Sequence, residues 1–318
     1  MRKDNTTGGI LQALEYHKTK GLILAASYQR LGQPDRAQLV LDCGTYVGIA
    51  EIEGRAKIVE ANFCKQRLCP ACAWRRSLKI YGATSQILNY LDATKGKEIK
   101  YLFLTLTVKN VRLPDLGQAI DDMATAFNRL RNNKAWKRRV LGAMRTLEVT
   151  INHDTNMAHP HYHLILAVRR SYATKGDDTY WTHEDWQRAW QTAARLDYMP
   201  QVSIERVKGR EAGTAEMAKY LAKSEDYLID ATEAQMGTEE AEAMTDWLVY
   251  NLSTQLHGRR LVSYTGILRE AQRALKLSDP EDGPLTDTIR GDIAQAIKRY
   301  HWSAGLGRYT PGLPKEGN

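Results

Sequence analysis

His159-Pro160-His161-Tyr162-His163-Leu164-Ile165-Leu166-Ala167-Val168 is the stretch from which the rest of the chain can be read. Its second part is a short apolar run, and it reads as a strand over His161–Val168. Strand side chains alternate between faces, so His161 and His163 share one face while Tyr162 and Leu164 take the other. Upstream, Met144-Arg145-Thr146-Leu147-Glu148-Val149-Thr150-Ile151 has the same period. There Glu148 lies with Thr146 and Thr150, opposite Leu147, Val149 and Ile151. A loop containing Asn152–Pro160 joins the two segments as a hairpin, which sets Glu148 on the strand beside the histidines. A lone histidine is usually a core or surface residue. Two imidazoles with one carboxylate instead suit a divalent ion that keeps positions open for phosphate oxygen, and Mg2+ or Mn2+ is expected on ligand type. His159, set off by Pro160, is expected either in the loop or as a group behind the ligands.

Working outward, Tyr101–Asn110 is rich in β-branched and aromatic residues and reads as another strand. Pro114 opens an amphipathic helix running to about Lys137, with Ile120, Met123, Phe127 and Leu130 on its apolar face and a basic end at Arg129, Arg131, Lys134, Lys137, Arg138 and Arg139. His183–Leu196 is a second such helix, and Val202–Val207 a fourth strand. The order is β-α-β-β-α-β-α, an α+β fold with an antiparallel sheet and helices on one face. Its last helix is Gly213–Lys223, with Thr214 as a cap. Glu216, Tyr220 and Lys223 stand there at i, i+4 and i+7, a carboxylate, a phenol and an ammonium on one stripe. In isolation such a stripe is commonly a solvated Glu–Lys face.

All four cysteines fall early: Cys43, Cys64, Cys69 and Cys72. Cys69-Pro70-Ala71-Cys72 lets two thiolates converge on one ion, and the other pair completes a tetrahedral Zn2+ site. Tyr46–Glu53 between them alternates like a strand, as a zinc ribbon requires; His17 is a weaker alternative ligand. Trp74-Arg75-Arg76 and Lys79 continue into a basic helix through Leu91, which is either a solvated face or a phosphate contact. Residues 1–40 are helical in part, ending near Gly32-Gln33-Pro34. Lys95–Glu98 is a linker. Beyond an acidic stretch, Glu225–Glu242, helices are expected over Glu239–His257 and Ile267–Lys276, interrupted at Ser263–Gly266, with a frayed tail beyond Thr310. The chain thus divides into 1–95, 96–232 and 233–318, the last a helical C-terminal region.

The formal net charge is +8, which favours a polyanionic partner, most simply nucleic acid. No apolar run approaches the roughly 20 residues that cross a bilayer. No apolar segment follows Met1-Arg2-Lys3-Asp4, so a cytoplasmic protein is expected, where clustered cysteines argue for metal over disulfides.

Taken together, Phe103–Asn110, Arg145–Asn152, His159–Leu166 and Glu216–Lys223, preceded by the cysteine segment Phe63–Arg76, resemble the HUH endonucleases, in particular the rolling-circle replication initiators of small Gram-positive plasmids. The resemblance spans about residues 43 to 275. It implies a ferredoxin/RRM-like nuclease domain over 96–232, with His161, His163 and Glu148 holding the catalytic ion. It implies that Tyr220 is the nucleophile of a single-strand nick, keeping a 5′-phosphotyrosine and releasing a 3′-OH primer. Lys219 and Lys223 would steady the phosphate, and Glu216 would assist hydrolysis at termination unless a second subunit's tyrosine does so. The implied partners are plasmid origin DNA, a host helicase and a host DNA polymerase; a homodimer stays open. Tyr227 is the nearest other tyrosine. A related transposase or relaxase, or a zinc-dependent DNA-binding repressor without catalysis, are the competing readings.

Overall fold

The computed structural model describes residues 6–172, 180–207, 227–229, 237–279, 281–287 and 297–312. The chain forms two compact units that interleave along the sequence, where the sequence reading cut it into consecutive stretches at 95 and 232. One unit comprises Met1–Arg76, Ser224–Ser253 and Gly283–Asn318; the other comprises Ser77–Lys223 and Thr254–Asp282.

In the first unit, helix α1 (Thr7–Arg30) starts at Thr6, whose side chain accepts the Gly9 N–H, and α2 (Pro34–Asp42) begins with proline at a position where no donor is needed. Strands β1 (Tyr46–Ile52) and β2 (Arg55–Ala61) form the expected ribbon hairpin. Helix α3 (Pro70–Lys95) follows the cysteine pair. Ile10, Leu14, Val47, Ile49, Ile58 and Tyr309 make the buried core.

Among the described residues, nine strands are joined in two antiparallel sheets with one short strand added, so the expected α+β fold holds. The second unit carries the larger sheet. Its strands are β3 (Ile99–Thr107), β4 (Val111–Arg112), β5 (Val140–Asn152), β6 (Met157–Arg169), β7 (Val202–Arg206) and β8 (Val262–Thr265). Their order is β7-β3-β6-β5-β8, with β4 paired to the start of β6. Helices α4 (Leu116–Asn132), α5 (Lys134–Arg139) and α6 (His183–Ala194) cover the Tyr162 face, where Phe127, Tyr162, Trp136 and Trp186 meet edge to face. At the Met144–Ile165 end of the other face, Ile80, Ile87 and Leu91 of α3 pack with Leu268 and Ala271.

Three local expectations are corrected here. The single helix from Pro114 to Lys137 is a 3-10 turn, Leu113–Asp115, followed by α4 and α5. It breaks at Asn133, which is extended and caps the Ala135 N–H with its own side chain. His159 and Pro160 lie inside β6 and not in a loop, paired with Thr150 and Val149. Pro160 is tolerated in this central strand because it falls between the part of β6 that pairs with β3 and the part that pairs with β4. Ser263–Gly266 does not simply interrupt two helices: it supplies β8 on the outer edge of β5. Gly266, at φ 55°, is pressed against the Leu141 carbonyl where no Cβ fits.

The C-terminal region is helical where expected, in α7 (Thr238–Gln255) and α8 (Gly266–Ala274), but it is not helical throughout. Strands β9 (Lys298–Ser303) and β10 (Arg308–Pro311) complete the smaller sheet in the order β10-β9-β1-β2. Tyr300, Trp302 and Tyr309 turn their rings to the core of that unit, and the last strand runs through Pro311; the rest of the tail, beyond Gly312, lies outside the described residues.

Candidate active site

The site is made by register. Glu148 on β5 stands directly opposite His161 on β6, and Thr146 opposite His163; on the other side β3 sets Thr105 opposite His163 and Thr107 opposite His161. Directly opposed residues point to the same face, so the carboxylate and both imidazoles converge. Glu148 Oε2 lies 2.9 Å from His161 Nε2 and 2.8 Å from His163 Nε2. All three residues are buried.

The rings are oriented from behind. His161 Nδ1 lies 3.1 Å from the His159 carbonyl, which can only accept, so the proton of the neutral ring belongs on Nδ1. The Nε2 lone pair then faces a carboxylate oxygen, an arrangement that calls for a proton or a cation between them. His163 Nδ1 lies 3.1 Å from Thr105 Oγ1, and its ring stacks on Phe103 with centroids 5.7 Å apart. Burial alone would raise the Glu148 pKa; hydrogen bonds and charge from His161 and His163 outweigh it and hold the carboxyl at about 2. Glu148 therefore stays a carboxylate, as a divalent ion requires. The ligand atoms of Glu148, His161 and His163 lie within 4.8 Å of one another, and the donor set fits a hard or borderline dication with open positions.

His159 adds a third imidazole on the same face, 5.2 Å from His161 between ring centroids. Burial and the neighbouring His161 charge lower its pKa. Its ring nitrogens are not among the converging ligand atoms. Thr105 was not anticipated as part of the site. Its signal is present, since Phe103-Leu104-Thr105-Leu106-Thr107 alternates and places Thr105 and Thr107 on one face.

The cysteines form a second cluster in the other unit. Sγ–Sγ distances are 3.5 Å for Cys43–Cys72, 3.7 Å for Cys64–Cys72 and 3.5 Å for Cys69–Cys43. These are far beyond a disulfide. They match thiolates arranged tetrahedrally about 2.3 Å from one ion, whose sulfurs sit about 3.8 Å apart. Backbone N–H groups of Cys64 and Lys65 point at Cys43 and Cys72 sulfur. Hydrogen bonds from its three neighbours hold the Cys69 thiol well below its ordinary pKa, while sulfur contacts push Cys43 and Cys72 up. Lys18 is buried beside them and donates to the Leu41 and Cys43 carbonyls. The four sulfurs gather without His17, whose ring lies against Trp74.

Glu216, Lys219, Tyr220 and Lys223 lie outside the described residues. Tyr227 is buried and its hydroxyl donates to the Leu68 carbonyl, which removes it as an accessible nucleophile. No helix among the described residues is long and apolar enough to cross a membrane.

A strand-borne carboxylate and two imidazoles thus converge on one face of an antiparallel sheet, and the chain's relatives fall in one family of replication proteins. The family model described as replication protein, Rep_1, matches residues 55–309. The "Protein rep" of Bacillus amyloliquefaciens is 33% identical over 331 aligned residues, covering 96% of each chain. That of a Bacillus species is 36% identical, covering 87% of this chain and 94% of the relative. That of Streptococcus pneumoniae serotype 2 is 34% identical, covering 85% and 82%. The chain belongs to this replication protein family. No solved structure matches it.

Proposed function

We propose that this protein initiates rolling-circle replication of a plasmid by nicking one strand of the origin, with Tyr220 as nucleophile. The observation that carries the reading is the convergence of Glu148, His161 and His163 on one sheet face in a member of the replication protein family. These residues would hold Mg2+ or Mn2+, which when bound polarises a scissile phosphate and orients it for in-line attack. The Tyr220 oxygen attacks phosphorus as the phenol loses its proton. The P–O3′ bond breaks, the 5′ end stays on Tyr220 as a phosphodiester, and the 3′ oxygen leaves as a hydroxyl. Conserving the bond in this way allows rejoining without ATP. Lys223 steadies the phosphate, and Glu216, one turn before Tyr220, acts as general base on water at termination. The four cysteines would hold one structural Zn2+. Origin DNA, a helicase and a polymerase of the host are the partners this chemistry requires.

The test uses a single-stranded origin oligonucleotide with Mn2+. Wild-type protein should give a cleaved strand and a detergent-stable covalent adduct. Tyr220→Phe should bind equally but give neither, and Glu216→Gln should give both yet accumulate multimeric circles in a full replication assay. Binding without cleavage by the wild type would leave a repressor as the answer.

A further inference from the structure

Beyond Thr107, the residue opposite His161, the chain leaves β3 through Val108 and Lys109. A cavity of about 390 Å3 opens there between this segment, α4 and the loop that follows α6. Three cations line it, Lys109, Arg129 and Arg195, against the carboxylate of Asp122. Tyr198 supplies an aromatic wall and is held in place twice. Its phenolic oxygen accepts the Lys109 backbone N–H at 2.8 Å, and the Lys109 ammonium lies 4.1 Å from the ring centroid. Arg129 is oriented by an Nη1 donation to the Ala193 carbonyl at 3.0 Å. Arg195 ends α6 with φ 57°, in the left-handed region where glycine is the usual residue, so a cation is kept on this wall despite a strained backbone.

We propose that this cavity is a subsite for one nucleotide of the single-stranded DNA that the protein handles. The inference rests on the nuclease reading for its meaning, though not for its test. An aromatic wall with adjoining cations is the combination that binds single strands: the ring takes a base face whatever its identity, and the cations take the phosphate. The volume lies in the lower part of the range for small-ligand pockets, about 300–1,000 Å3, which suits one nucleoside. The cavity lies on the helix-covered side of the sheet, at the end of β3 where Thr107 stands opposite His161.

The experiment is photocrosslinking, without added Mg2+ or Mn2+, to a thymidine strand of about 12 nucleotides carrying 5-iododeoxyuridine. Peptide mapping should find the main adduct on Tyr198. Tyr198→Ala should weaken binding about tenfold, while Tyr198→Phe, which keeps the ring, should bind as wild type. Adducts confined to the exposed Tyr16, Tyr180 and Tyr250, or unchanged affinity of Tyr198→Ala, would overturn the subsite. The strand carries no origin sequence and no Mg2+ or Mn2+ is added, so this outcome is independent of nicking. A wild-type protein that fails to nick in Mn2+ sinks the nuclease reading and leaves the crosslink result standing.

Discussion

Glu148, His161 and His163 stand on two neighbouring strands of one sheet, in positions that the β5–β6 ladder dictates. Cys43, Cys64, Cys69 and Cys72 come instead from the end of α2, a loop and the start of α3. In the first case the backbone is already hydrogen-bonded before any ion arrives. The carboxylate lies against two imidazoles, so a proton or a single cation between them completes the site. In the second case the three segments meet through isolated hydrogen bonds, such as Asn62 to the Asp42 carbonyl and Arg76 to the Lys65 carbonyl, and four thiols facing one another, three of them buried, cannot all ionise without a cation. The difference teaches which site is part of the fold and which is placed upon it. On the proposed reading, a cysteine cluster of this construction would contribute its binding energy to folding, and the histidine site would use its ion for chemistry.

The comparison is broken most directly at Cys72. Closing a Zn2+ site contributes on the order of 10–16 kcal/mol in small zinc domains, which equals or exceeds the stability of most domains. Cys72→Ser should therefore abolish zinc in elemental analysis, expected at one per chain in the wild type, and melt the first unit in thermal circular dichroism. Wild-type protein that contains no zinc and melts unchanged after chelation would remove the assignment.

The second break is at His163. Its replacement by alanine should leave the melting temperature within a few degrees of wild type, because the strand ladder persists. Cleavage of the origin strand should fall by about 10²–10³-fold or more, the usual cost of deleting one preorganised electrostatic contact. Unfolding of this variant would mean that the histidine site, like the cysteine cluster, holds the fold together.

Both sites were legible in the sequence because each is announced by short-range spacing. The period of two in His161–Val168 and Met144–Ile151 places Glu148 with the histidines, and a CxxC pair marks a metal cluster. Long-range pairing carries no such mark. Ser263-Tyr264-Thr265 reads as a helix break until β5 is there to accept it, and Lys298–Ser303 alternates but finds its partner, β1, some 250 residues earlier in the chain. Asn133 was missed for a different reason: Asn132-Asn133 interrupts a helical pattern whose apolar period continues across it, and a side-chain cap decides the break. His159 was sent to a loop on the strength of Pro160, yet the strand absorbs the proline at a gap between its two neighbours.

The finest test of the comparison is Thr105. If the histidine site is placed on a finished fold, its ion affinity should depend on small groups that aim the rings and that matter little to stability. Thr105 Oγ1 is such a group, since it holds His163 Nδ1 at 3.1 Å and makes the opposite nitrogen face Glu148. Thr105→Val keeps the β-branch and the strand preference while deleting the hydroxyl. Loss of an outer partner of a metal-bound histidine typically costs 10–100-fold in metal affinity, so the Mn2+ midpoint for cleavage should rise by about that factor. Saturating Mn2+ should restore most of the rate, and Thr105→Ser should behave as wild type. Thr107 provides the control on the same face. Its hydroxyl donates to the Gln201 carbonyl at 2.8 Å and does not touch the rings, so Thr107→Val should leave the Mn2+ midpoint where it was. Equal shifts for the two variants would mean that the face responds as a whole, and that Thr105 has no particular part in aiming His163.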